Sequence, residues 1–268
     1  MKTKTLYLTG ALLVLFGLII GGVGLAMVDF NLSRLSNDAI RLKKTFQTSE
    51  AFNTISIEGL NQSIKILPSS DDQIHLSWYE SSSAVYALKN EEGNLSLRQQ
   101  VKPFLGFRIE IPTPAYDITL ALPSGFSGLI DCKISNGSIS AERVGAGSLR
   151  ASSMNGSVVL NALKTSGPIQ VYSSNGSIQA IQTETQSVMT LETRNGSILL
   201  EKAAVGKELN CRSSNGRIEG SIAGTAQDFT IESHSANGSN SLEGITGHGE
   251  KKLVANSSNG AIDLRFSQ

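Results

Sequence analysis

Apolar and polar residues alternate along most of the chain, and from residue 130 the alternation restarts about every 20 residues. Each restart is marked by Asn-Gly: Asn136-Gly137, Asn155-Gly156, Asn175-Gly176, Asn195-Gly196, Asn215-Gly216, Asn237-Gly238 and Asn259-Gly260. The spacings are 19, 20, 20, 20, 22 and 22. Six residues before each Asn stand Ile130, Leu149, Ile169, Met189, Leu209, Ile231 and Leu253, apolar throughout. Four before it stand Cys132, Ala151, Val171, Leu191, Cys211, Ser233 and Ala255. Three after it come Ile139, Val158, Ile178, Ile198, Ile218 and Ile262, interrupted only by Asn240. Polar residues such as Lys133, Tyr172, Glu192, Arg212 and His234 fall between these columns. Period two on both sides of a corner predicts two short strands per repeat, each with one buried face. Asn-Gly is expected to supply the positive φ that the corner demands.

Two all-β folds could host this pattern. In an antiparallel meander each Asn-Gly would close a hairpin. In a single-stranded β-solenoid each repeat is one coil, and equivalent residues stack about 4.8 Å apart. Column identity favours the solenoid, because stacking sets Asn on Asn and Ile on Ile, whereas a meander has no need of uniform columns. The register puts Cys132 and Cys211 in one inward column four coils apart, about 19 Å. A disulfide tolerates no more than about 7 Å between Cα atoms, so both are expected to be buried free thiols. Two residues before Asn stand Ser153, Ser173, Thr193, Ser213, Ser235 and Ser257. Their inward parity predicts hydroxyls that fill a tight corner and bond the turn backbone. The outward column Ser138, Ser157, Ser177, Ser197 and Ser239 reads as turn chemistry before a ligand face.

Upstream, Ile55, Ile57, Asn61, Ile64 and Ile66 repeat the same offsets. Residues 51–130 are therefore expected to form irregular coils or a cap, and 131–268 the regular coils. Residues 6–28 are 23 positions without a charge. As a helix they would extend roughly 34 Å, enough for a bilayer core of about 30 Å. With Lys2 and Lys4 before the run, positive residues stay inside. That predicts a cytoplasmic tail at 1–5, a signal anchor at 6–28, a juxtamembrane linker at 29–50 and an extracytoplasmic remainder. A cleaved signal peptide is the competing reading, disfavoured by the length of the run.

Composition adds little. Lys plus Arg and Asp plus Glu both number 23, and residues 46–268 carry 17 basic against 21 acidic. Charge alone will not hold nucleic acid on such a domain.

The pairs Ile55–Ile57 and Ile64–Leu67 with Pro68, the run Ile118–Leu122 with Pro123, and Ser-Ser-Asn-Gly-Ser-Ile repeats such as 173–178 resemble the bacterial DUF4097 family of candidate adhesins. The likeness covers about 51–268, and the anchor is also similar to that of Gram-positive members. The resemblance implies a solenoid, an extracytoplasmic position and relatives in envelope-stress responses, one group of them responding to antimicrobial peptides. It implies no catalytic residues.

His75, His234 and His248 show no metal-ligand spacing. Asp131, Asp228 and Asp263 lie in different coils, while hydrolysis needs paired carboxylates. Asp71-Asp72 reads as a polar turn. The expectation is a binding or sensing module of the cell envelope, not an enzyme, without cofactor or metal. Its ligand, whether envelope component, peptide, glycan or protein, is unspecified. An adhesin is the alternative, and a polysaccharide-active enzyme the remote one.

Overall fold

The structure, a computed structural model, describes residues 2–27, 41–81, 84–100 and 116–267. Helix α1 spans Lys2–Met27, and its side chains from Leu13 to Val23 are exposed. Among the described residues no helix is long and apolar enough to cross a membrane. The expected linker lies partly outside the described residues, and its far end is not a linker. Residues Leu42–Thr48 form β1, which pairs antiparallel with β4 (Ile74–Glu80), and Phe46 packs against the core.

The remaining strands of the first half are β2 (Thr54–Gly59), β3 (Ile64–Pro68), β5 (Val85–Glu91), β6 (Asn94–Gln100) and β7 (Ile118–Leu122). The regular coils follow. A first sheet holds β8 (Leu129–Ile134), β11 (Ser148–Ser153), β14 (Ile169–Ser173), β17 (Val188–Thr193) and β19 (Glu208–Ser213). A second holds β9 (Ile139–Glu142), β12 (Val158–Asn161), β15 (Ile178–Ile181), β18 (Ile198–Val205) and β20 (Ile218–Ala223). A short third face is made by β10 (Gly145–Ala146), β13 (Lys164–Thr165), β16 (Glu184–Thr185) and the end of β18.

Pairing between coils is parallel and in register. Ile130, Leu149, Ile169, Met189 and Leu209 are successive partners, as are Ile139, Val158, Ile178, Ile198 and Ile218. A meander would pair these strands antiparallel, so the solenoid register holds. Inward residues of these columns are almost wholly buried, each Leu or Ile contributing about 1.5–3 kcal/mol. The third face had not been expected. It buries Val144, Leu163, Thr183 and Ala203, then Ala146, Thr165, Thr185 and Val205.

Stacking order departs from chain order at both ends. β2 pairs β8 and β3 pairs β9, so residues 54–68 form the coil directly below the regular stack. β6 and β7 pair beneath β2 and β3, still parallel. Antiparallel β5 on β6, and β4 with β1 on β7, then finish that end.

At the other end are β21 (Phe229–Ser235), β22 (Lys251–Ser257) and β23 (Ile262–Ser267). β19 pairs β22 and β20 pairs β23, whereas β21 pairs β22 from outside. This corrects the sequential order expected of the repeats: Asn259 follows Asn215, and Asn237 is outermost. The reason lies in two polar residues. Residues 229–242 carry Ser233 and Asn240 at columns apolar elsewhere, and only the end of a stack leaves such positions half-open to water. There Asn240 Nδ2 donates to Ser233 Oγ at 2.9 Å, so the pair satisfies itself.

A candidate binding face

The corner residues act as stacking devices. Each Asn Nδ2 donates to the Oδ1 of the Asn one coil nearer the N-terminal end, in the order Asn61, Asn136, Asn155, Asn175, Asn195, Asn215, Asn259 and Asn237. The seven bonds measure 2.7–2.9 Å.

The glycines are needed for a different reason from the one expected. Gly137, Gly156, Gly176, Gly196, Gly216, Gly238 and Gly260 do not have positive φ, nor do their Asn partners. A Cβ on Gly156 would instead land on the carbonyl oxygen of Gly137, and one on Gly176 on that of Gly156. The backbones touch, and only hydrogen fits between them. The left-handed corner lies seven residues after each Asn, at Arg143, Ala162, Gln182 and Lys202, with φ of 51°, 52°, 47° and 52°.

Beneath the corner the hydroxyl column bonds the backbone. Ser153 Oγ donates to Gly137 O at 3.0 Å and accepts from Gly156 N–H at 2.9 Å, and Ser173 repeats both bonds one coil on. Ser138 and Ser239 are exposed, while Ser157, Ser177 and Ser197 are half-buried. Cys132 and Cys211 are free and fully buried. Burial pushes the Cys211 thiol up to about 12. Burial, with the neighbouring Asp131 charge, raises that of Cys132 as well. Neither is a poised nucleophile.

The outer face of the first sheet differs from these uniform columns. Tyr172, Glu192, Arg212, Asn256 and His234 are successive partners across β14, β17, β19, β22 and β21. Beside them run Ser174, Arg194, Ser214, Ser258 and Ala236. Together these residues, Ser174 excepted, line an open groove of about 510 Å³, with Thr193, Ser213 and Ser257 at its floor.

Part of the groove is pre-bonded. Tyr172 Oη lies 3.3 Å from Ser174 Oγ, which also accepts from Arg194 Nη1 at 3.0 Å. Ser174 lies just past the end of β14, so this contact draws the phenol oxygen toward the corner. Arg212 Nη1 is 3.9 Å from Glu192 Oε1, a loose pair. The sequence placed Tyr172, Glu192, Arg212 and His234 outward but did not single them out. Asn256 was hidden by the expected order of the last coils.

Away from the groove, Asp71 is occupied locally. Asp71 Oδ1 accepts from Ser69 Oγ at 2.8 Å and Gln73 N–H at 3.0 Å, and lies 2.8 Å from His75 Nε2. These hydrogen bonds, that of His75 foremost, hold its carboxyl below the usual range. It is a turn. His248 bridges Thr230 at the outer edge of β21. A second hollow of about 470 Å³ lies along Lys89, Glu91, Glu92, Asn94 and Ser96 of the end hairpin. Among the described residues no three metal-ligating side chains converge.

Residues 52–266 match the family model described as Toastrack DUF4097. No curated protein matches the chain. Similar solved structures include two candidate adhesion proteins. A candidate cell adhesion protein from Clostridium sporogenes ATCC 15579 has 10% identity and a TM-score of 0.44, covering 85% of this chain and 100% of that one. A candidate adhesin from Bacteroides fragilis NCTC 9343 has 13% identity and a TM-score of 0.45, covering 85% and 99%.

Proposed function

Since the chain belongs to the Toastrack DUF4097 family, we propose that it is a non-catalytic binding module of the cell envelope, reading its ligand on the outer face of the first sheet. The observation that carries this reading is a contrast between columns. Corner and core columns repeat one residue type because stacking demands it. The row Tyr172, Glu192, Arg212, Asn256 and His234 changes at every coil, in a groove that packing does not require. Varied, partly pre-bonded polar groups on a rigid sheet are what recognition needs. The open form of the groove suits a macromolecule better than an enclosed small solute. That openness also supports a second reading, an adhesin contacting another cell or a matrix.

The uncharged run at 6–28, of which α1 carries 6–27, is the membrane anchor in this proposal, with the solenoid outside and the module reporting on envelope stress. The exposed stretch Leu13–Val23 supports the anchor, because such a surface in water would be costly. Crosslinking of the intact chain in its own envelope tests the face. A captured component should be lost in an Arg194→Ala, Arg212→Ala double variant that still reaches the envelope. Capture unchanged in that variant would remove the groove from the argument. For the stress role, deletion should alter tolerance to membrane-active agents, and unchanged tolerance would eliminate it.

A further inference from the structure

Resting on the groove as the binding face, we propose that its ligand class is an anionic glycan, an extended saccharide chain bearing carboxylates, laid along the stacking axis. Of the strands beneath the groove, β14, β17, β19 and β22 are paired on both edges, while β21, at the end, is paired along one. The four inner strands have no free backbone N–H or C=O to offer, so a peptide laid along the groove could not be gripped by strand addition. Recognition must come from side chains, and those lining the groove are hydroxyls, an amide, the guanidiniums of Arg194 and Arg212 against the single carboxylate of Glu192, the His234 imidazole and the Tyr172 ring.

The ring is the first specific element. Tyr172 is 37% exposed, and its hydroxyl is held toward Ser174 at the corner, so part of the ring is an apolar surface that can meet the C–H face of a sugar. Arg194 is the second. Its bond to Ser174 Oγ fixes the guanidinium beside the ring through one nitrogen, leaving other N–H groups for a carboxylate, which a guanidinium fork matches in shape. Arg212 stands one coil further along, held only loosely by Glu192. The repeat distance agrees as well. Coils advance about 4.8 Å, close to the advance of one pyranose along an extended polysaccharide, so successive sugars would meet Tyr172, Arg194, Arg212 and Asn256 in turn.

Titration calorimetry on the full chain, in a detergent without a sugar headgroup, tests this. The probes are an oligogalacturonate, a neutral cello-oligosaccharide of equal length, inorganic phosphate and a poly-glutamate peptide. Oligogalacturonate should bind at least tenfold more tightly than the other three. Tyr172→Ala and Arg194→Gln should each weaken it at least tenfold, with unchanged melting temperature. Tyr172→Phe, which keeps the ring but drops its hydroxyl, should weaken it less. Equal binding of phosphate or poly-glutamate would overturn the glycan assignment in favour of a general anion or acidic-peptide site. No binding of oligogalacturonate, while Arg194→Ala, Arg212→Ala still abolishes capture in the envelope, would overturn the glycan alone and leave the face. No binding of oligogalacturonate together with capture unchanged in that double variant would remove the face too.

Discussion

Glycine and asparagine at the corners show how one dipeptide can be conserved along a chain for either of two reasons. In a hairpin Asn-Gly supplies positive φ. Here the glycines serve close approach, and the positive φ falls on Arg143, Ala162, Gln182 and Lys202. The two kinds of position should respond in opposite directions to substitution. Gly176→Ala forces a methyl into the Gly156 carbonyl, and should lower stability by roughly 2–3 kcal/mol as overpacking does. Gln182→Gly relieves left-handed strain of about 1–2 kcal/mol, less glycine's extra entropy of roughly 0.5–1 kcal/mol, so it should raise stability slightly. Chemical denaturation of both variants measures the contrast. Periodicity could not separate these causes, because a column of Gly looks the same whether an angle or a neighbour requires it. The left-handed column was illegible for the converse reason: its four residues share no side-chain type.

At the scale of strands, two of the three faces were legible from alternation. The third was not, because its strands are two residues long. Its inward residues, such as Ala146, Thr165, Thr185 and Val205, are small and partly polar. Parallel stacking was legible in the uniform columns, but spatial order was not, since any coil matching the register fits anywhere in the stack. Ser233 and Asn240 were the signal that 229–242 belongs at an end. The order is directly testable. Ser214→Cys with Ser258→Cys should form a disulfide on mild oxidation, because β19 and β22 are neighbours. Ser214→Cys with Ala236→Cys should not, with β22 interposed. Reduced and oxidised electrophoresis reads the result, and the buried native thiols stay out of the exchange. The groove was legible only as outward parity, since a binding face has no reason to repeat.

For the molecule as a whole, ends matter more than middles, because a stack of identical rungs could otherwise grow without limit. One end is closed by strands running against the rest. The other relies on the polar pair Ser233 and Asn240, with Phe229 packed on Phe266 at 5.6 Å. Replacing both polar residues, Ser233→Ile with Asn240→Leu, should make that end adhesive and shift the chain to larger species than the unaltered protein in light scattering. The asparagine ladder gives the ends a further distinction. All seven amide bonds point the same way, so their dipoles add head to tail, as the roughly 3.5 D peptide dipoles do along a helix. The solenoid is thereby an electrically polar rod, slightly positive beyond Asn61 and slightly negative at Asn237, the last donor of the ladder.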